Sequence, residues 1–317
     1  MPELFHTATR AVRGRPRRAG RAVTVRALIA RAAGRLKRAR VHFGHGTDNA
    51  WDEAAALVLH AVRPGSRGGA LSLGRRVGPA GQRRARALVT RRIEERIPAA
   101  YLTGVAWFAG VPLQVDARVL VPRSPIAELI ERGFQPWIDA RRVHRVLDLG
   151  TGSGCIAIAC ARALPRARID AVDISDAALE VARRNVRRHR LARRVRVRKS
   201  DHFRALGRAT YDIIVSNPPY VGARELAGLP PEYRHEPRVA LAAGSAGLDS
   251  VRIILREARR HLRPRGVLIV EVGNTESAVR RAFRRLPFVW LEFERGGGGV
   301  FLLSREQLQG PQATFSQ

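Results

Sequence analysis

From Val25 the apolar positions recur at helical spacing, and Val25, Leu28, Ile29, Ala32, Ala33 and Leu36 form one stripe. The turn His45-Gly46-Thr47-Asp48-Asn49 carries helix-capping residue types. A second helix is predicted after it, with Ala55, Val58, Leu59 and Val62 on its apolar face, broken at Pro64-Gly65-Ser66-Arg67-Gly68-Gly69. A third stripe, Ala85, Leu88, Val89 and Ile93, ends before Pro98. Residues 23–97 therefore read as a small helical domain. Val105 to Val121 is strand-like, with a hairpin turn at Ala109-Gly110. Pro122-Arg123-Ser124-Pro125 then opens a short helix, so residues 98–125 read as a hairpin linker.

From Arg145 short apolar strands alternate with helices. Strands are predicted at 146–149, 169–173, 195–198, 211–216, 266–272, 288–293 and 300–303. Helices are predicted at 156–163, 176–189 and 251–262. The stretch Gly266 to Val272 is unusually apolar and belongs inside the sheet. Seven strands with interleaved helices predict an α/β fold: a doubly wound, parallel sheet with helices on both faces, spanning 126–304. Residues 305–317 read as a polar tail, and residues 1–22, Arg-rich with Glu3 as the one acid, as a disordered basic arm.

Composition changes this picture in one respect. The 317 residues carry 58 Lys+Arg against 27 Asp+Glu, a formal net charge of +31. Only Lys37 and Lys199 are lysines. Such a surface attracts polyanions, which makes RNA contact an expectation, but the even spread of Arg also fits a compositional bias. The acid-poor start resembles a transit peptide as well, although the rest of the chain is equally Arg-rich. No stretch reaches the ~20 apolar residues of a membrane span, and no apolar signal segment is visible, so a cytoplasmic protein without membrane contact is expected. Two cysteines, Cys155 and Cys160, exclude a disulfide scaffold and a zinc ribbon and read as buried small hydrophobes. The nine His show no metal-ligand spacing, so no metal is expected.

In a doubly wound sheet the ligand sits at the carboxyl ends of the strands. The first strand ends in Asp148-Leu149-Gly150-Thr151-Gly152-Ser153-Gly154, and the second in Asp173, 23 positions after Gly150. Glycines there allow a sharp turn and close ligand approach, and an acid at the second strand grips a ribose diol. Nicotinamide or flavin dinucleotides and S-adenosylmethionine both use this pairing. The spacing G-x-G-x-G, with Asp148 two positions before Gly150, favours the cationic S-adenosylmethionine over a pyrophosphate. A plain tight turn capped by Asp148 is the bland alternative. Asp201, after the third strand, lies where an adenine amine would, or else caps a turn.

The fourth strand ends in Ser216-Asn217-Pro218-Pro219-Tyr220. The prolines stiffen the loop and hold Asn217 extended. The Asn217 side chain and the Pro218 carbonyl can then face one planar NH2 group, with the Tyr220 ring stacked on the group that carries it. Two acceptors on a delocalised amide or aromatic amine aim its lone pair at a methyl donor and stabilise the charge that grows on nitrogen. The chemistry implied is N-methylation.

At these residues the chain resembles the bacterial protein-(glutamine-N5) methyltransferases, class I S-adenosylmethionine-dependent enzymes with a Rossmann-like seven-stranded sheet. Residues 97–104 (Ile97-Pro98-Ala99-Ala100-Tyr101-Leu102-Thr103-Gly104), Val121-Pro122-Arg123-Ser124-Pro125 and Asn217-Pro218-Pro219-Tyr220 recur in order, and the resemblance spans about 23–304. Gly44 to Asn49, Trp51-Asp52-Glu53-Ala54, Val121 to Ile130 and Glu232-Tyr233-Arg234-His235-Glu236-Pro237 are similar to the branch specific for large-subunit (50S) ribosomal protein L-three. The release-factor branch carries an acidic pattern where this chain has Ser124-Pro125-Ile126-Ala127.

The resemblance implies methylation of an L-three glutamine, on the free protein or an assembly intermediate. It places Gly150, Thr151, Gly152 and Gly154 at the methionine end of the cofactor, Asp173 at the ribose and Asp201 near the adenine. Asn217 and Pro218, with Pro219 and Tyr220, would form the catalytic loop. Pro122, Arg123, Glu236 and Pro237 would lie on the substrate side, and the N-terminal helices would recognise the substrate.

Release-factor glutamine methylation, adenine-N6 methylation of nucleic acid and a non-catalytic RNA-binding assembly factor remain as alternatives. A base-flipping pocket would be needed for the second, and a degraded glycine turn or a lost Asn217 for the third. His235-Glu236 reads as structural rather than as an acid/base pair, and Arg83, Arg84, Arg86, Arg91 and Arg92 as a solvated helix face.

Overall fold

The structure, a computed structural model, describes residues 23–62 and 72–309. The basic arm, the helix breaker at 64–69 and the tail from 310 onward lie outside the described residues. A two-residue strand β1 (Val23–Thr24) leads into α1 (Val25–Arg38), where Thr24 Oγ1 accepts the Ala27 N–H at 3.2 Å. Next come α2 (Ala50–Val62), β2 (Arg76–Val77), α3 (Pro79–Glu94) and α4 (Ala99–Thr103), with β1 and β2 paired antiparallel. Asn49 starts α2 by accepting the Trp51 and Asp52 N–H groups at 3.0 and 2.9 Å.

The α1 stripe is buried throughout. On α2 the buried face is a different one: Ala50, Glu53, Ala54, Leu57, Val58 and Ala61 point inward, while Leu59 is exposed and Ala55 and Val62 are only half-buried or outward. Two overlapping sets on this Ala-rich helix satisfy the same spacing. Packing against both α1 and α3 selects the one that also turns Glu53 inward.

The hairpin β3 (Val105–Phe108) and β4 (Val111–Gln114) turns at Ala109 and Gly110, with φ of 47° and 70°. Both are left-handed, as a two-residue turn of type I′ requires. The strand expected to reach Val121 stops at Gln114. Beyond it one further ladder bond, Val115 N–H to Gly104 O at 3.2 Å, is made, and Val115, Val119 and Val121 pack on Ala178 and Val181.

The main unit follows the expected alternation: α5 (Ile126–Glu131), β5 (Arg145–Leu149), α6 (Cys155–Ala163), β6 (Arg168–Asp173), α7 (Asp176–Arg188), β7 (Val195–Lys199) and β8 (Tyr211–Ser216). It continues through α8 (Ala223–Gly228), α9 (Asp249–His261), β9 (Leu262–Glu271), α10 (Glu276–Ala282), β10 (Val289–Trp290) and β11 (Val300–Ser304). The seven strands run in the order β10-β11-β9-β8-β5-β6-β7. The five from β9 to β7 are parallel, while β11 enters antiparallel between β9 and β10.

Alternate residues feed opposite layers. Val146, Ile213 and Val215 join α5 and α6 in one core, and Leu147, Leu149 and Ile214 join α9 and α10 in the other. Packing runs past Ser304, because Leu308 is buried in the second core. The tail thus begins later than its polarity suggested. The chain leaves β5 towards β6 and returns on the other side at β8. The crevice between their carboxyl ends is the switch point, where such sheets bind ligands.

Candidate active site

A cavity of about 280 Å³ opens at that switch point. The turn after β5 forms its floor. Gly150 (φ 72°) donates its N–H to Val172 O at 2.9 Å, and Gly152 (φ 53°) has open space where a Cβ would stand. Thr151 and Ser153 share this floor. Asp173 ends β6 at the wall. Its Oδ2 accepts the Gly152 N–H and its Oδ1 the Ser175 N–H, each at 2.9 Å. Burial raises the Asp173 pKa, and these N–H groups oppose the rise. The carboxylate also lines the cavity, where its remaining lone-pair capacity is open to a ligand.

Asp201 and His202 close the next side, and the Asp201 carboxylate is shared with His202 Nδ1 (2.7 Å) and Arg204 (3.1 Å). Ile174, half-exposed at the rim, offers an apolar face for a flat base.

The opposite wall is Ser216-Asn217-Pro218-Pro219 at the end of β8. Ser216 Oγ donates to Leu149 O at 2.8 Å, tying this loop to the glycine turn. Pro122, Arg123 and Ser124 form a third wall, and Pro237, Val239 and Ala240 the lip. Arg123 is fixed by Glu236, which accepts from both of its terminal nitrogens at 2.6 and 2.7 Å and from the Val121 N–H at 3.0 Å. Glu236 therefore stands behind the wall as its brace.

Besides Glu236, three residues expected to face a ligand do not line the cavity. Asp148 is completely buried; its Oδ2 accepts from Thr151 Oγ1 at 2.6 Å and from the Ala157 N–H at 3.0 Å. Burial pushes this carboxyl up to about 7, with those two donors opposing. It fastens the glycine turn to α6 instead of touching a ligand. Gly154 (φ 83°) caps α6, and a Cβ there would press on Ala182 at 3.4 Å. Tyr220 turns away from the cavity: its hydroxyl donates to Glu271 at 3.2 Å, and its ring lies on Gly273.

Two further expectations need correcting. Cys155 is half-buried and lines the cavity, its thiol pushed up to about 12 by burial, whereas Cys160 is buried as expected. Arg92 is not solvated with its helix neighbours but wholly enclosed. Its Nε donates to Glu53 at 2.6 Å, and its two terminal nitrogens to Glu232 at 3.1 Å and to His42 O at 2.6 Å.

Glu232 lies in the first turn of the short helix Pro231–His235 that precedes the Pro237–Ala240 lip, so this buried group binds the lip to the helical unit. His235 Nε2 contacts Glu95 O at 2.8 Å across the same junction, a structural role. His45, from the loop before α2, packs edge-on to Tyr233 and lies 3.7 Å from Glu236. Burial, then the nearby Arg123, lower its pKa to about 3.

The glycine turn, Asp173 at the end of β6 and the Asn217-Pro218-Pro219 loop at the end of β8 line one cavity, and that lining fits S-adenosylmethionine. On a seven-stranded sheet of this order they define a class I S-adenosylmethionine-dependent methyltransferase. Residues 134–228 match the Methyltransferase small domain family. The ribosomal protein uL3 glutamine methyltransferase of Bordetella pertussis is 50% identical over 286 residues, 90% of this chain and 96% of that protein. Its namesake in Neisseria meningitidis serogroup B is 48% identical over 290 residues, 91% of this chain and 95% of that one. A solved methyltransferase from Pyrococcus furiosus is 21% identical, covering 70% of this chain and 98% of that chain, with a TM-score of 0.46. The chain belongs to the ribosomal protein uL3 glutamine methyltransferase family.

Proposed function

We propose that the enzyme methylates the side-chain amide nitrogen, N5, of a glutamine in ribosomal protein uL3, the large-subunit protein L-three. The reading is carried by one juxtaposition: Asn217-Pro218-Pro219 shares a cavity with Asp173 and the Gly150–Gly152 turn. Bound S-adenosylmethionine supplies a methyl group on a positively charged sulfur. Asp173 holds the ribose hydroxyls, Gly150 and Gly152 give the backbone room for the methionine end, and Asp201 lies at the adenine side. Asn217 Oδ1 and the Pro218 carbonyl accept the two amide hydrogens of the glutamine. That orients its nitrogen lone pair and stabilises the developing charge.

No base need act before the transfer; the extra proton leaves to water afterwards. The wall Pro122-Arg123 and the lip at Pro237 hold the peptide, and the helical unit 23–97 recognises uL3. No helix of the described residues is long and apolar enough to cross a membrane, in keeping with cytoplasmic action. The high net charge supports contact with RNA when uL3 is met in an assembly intermediate.

Asn217→Ala tests the reading. Turnover on uL3 should fall at least about a hundredfold, as on loss of a preorganised polar contact, while calorimetric binding of S-adenosylmethionine stays near wild type. Undiminished turnover would remove Asn217 from the mechanism.

A further inference from the structure

An acid ends the apolar second half of β9. Val267, Leu268, Ile269 and Val270 are buried, and Glu271 follows them at 5% exposure. Its neighbour across β11 is Val300, so the sheet gives it no polar partner. A carboxyl group in that position is costly unless it is hydrogen-bonded. Its partners come from the two segments that face each other across the cavity. Tyr220 Oη, directly after Asn217-Pro218-Pro219, donates to Oε1 at 3.2 Å. Ser124 Oγ, directly after Pro122-Arg123, donates to Oε2. Ser124 Oγ in turn accepts the Ile126 N–H at 3.2 Å, fixing the start of α5.

The Tyr220 ring has no room to move towards Gly273. A Cβ on that glycine would lie 2.6 Å from Tyr220 Cε2. A Cβ on Gly247 would lie 2.2 Å from the Tyr220 carbonyl oxygen. Glu271 thus holds both walls of the proposed glutamine slot without lining it.

We propose that Glu271 is a positioning residue for methyl transfer, its carboxylate locking Tyr220 and Ser124 so that the Asn217–Pro219 and Pro122–Arg123 walls keep a fixed separation. This rests on the glutamine-methyltransferase reading of the same cavity. Ionised, Glu271 accepts from both hydroxyls at once. Protonated, it must turn its own O–H towards one of them, which reverses that hydrogen bond and replaces a charge-assisted contact with a weaker neutral one.

The groups that face Glu271 are the Tyr220 and Ser124 hydroxyls and, by charge, the Arg123 guanidinium. Burial pushes the carboxyl up to about 7, with Ser124, Tyr220 and Arg123 opposing. The clasp therefore changes state near neutrality.

The test is kcat of the full-length enzyme on uL3 from pH 6 to 9, for wild type, Glu271→Gln, Tyr220→Phe and the double variant, with Asn217→Ala alongside. Wild-type kcat should rise through about pH 7. Glu271→Gln should lose this rise and stay about ten- to a hundredfold below the high-pH plateau. Cofactor affinity and melting at pH 7 confirm an intact fold. Tyr220→Phe cuts the same bond from its other end and should lose about as much, and the double variant should lose little more than either alone.

A Glu271→Gln enzyme with wild-type kcat and the wild-type pH rise overturns the proposal, as does full additivity of the two variants. If Asn217→Ala retains wild-type turnover, the reading of the cavity fails and the proposal with it. If Asn217→Ala is inactive while Glu271→Gln is unaffected, only the role of Glu271 falls.

Discussion

Asp173 and Asp148 carry the same functional group in the same site and do different work. Asp173 keeps lone pairs open to the cavity, whereas Asp148 spends its charge on the turn behind it. Asp173→Ala should weaken S-adenosylmethionine binding by about ten- to a hundredfold, the loss expected for hydrogen bonds to a charged group. Calorimetry checks this, and an unchanged isotherm would remove the ribose assignment. Asp148→Asn should show itself in stability. Asp148 is raised from an ordinary value near 4 to about 7 in the folded chain. Its protonation therefore favours the fold below about pH 4, and that contribution is lost as pH rises through about 7. The melting temperature of the Asn variant should gain on wild type between pH 4 and 7; a constant gap would contradict the buried carboxyl. The glycine turn, Asp173 and the Asn217–Pro219 loop were legible in the sequence because their residue types have few other uses at strand ends. The inward turn of Tyr220 was not, since it depends on Glu271, 51 positions away. The signal available was a lone acid closing an apolar strand.

At the level of elements, the strand–helix alternation of 145–304 was legible because local period decides it. The junction of the helical unit with the lip was not. Arg92 looks like any of its exposed neighbours on α3, and its partners Glu53 and Glu232 stand 39 and 140 positions away. The α2 face was misjudged for the same reason, since the inward Glu53 is held by Arg92 and by the Thr47 hydroxyl. Removing Arg92 leaves the buried Glu53 without its cation and Glu232 with only the longer contact to Arg96 at 3.4 Å. Arg92→Ala should therefore cost about 3–5 kcal/mol of stability, measured by denaturant unfolding. It should also slow turnover on uL3 more than it weakens cofactor binding, because the Pro237–Ala240 lip hangs on Glu232. A variant as stable as wild type would show that the clasp contributes little.

For the whole molecule the arrangement separates tasks. The glycine turn and the β8 loop line one cavity at the sheet's switch point, and a helical unit is bound to the lip through charges it buries. The positive surface is a property of the entire chain rather than of the site, and sequence composition exposed it at once. It should make binding to ribosomal RNA fall steeply with salt, while methylation of free uL3 changes far less. The substrate is decided most directly by transfer of labelled methyl from S-adenosylmethionine to separate samples of unmethylated uL3, release factor and adenine-containing nucleic acid. Label on one glutamine of uL3, absent from the other two, is the predicted result. Label on nucleic acid or on release factor, with uL3 blank, would contradict it.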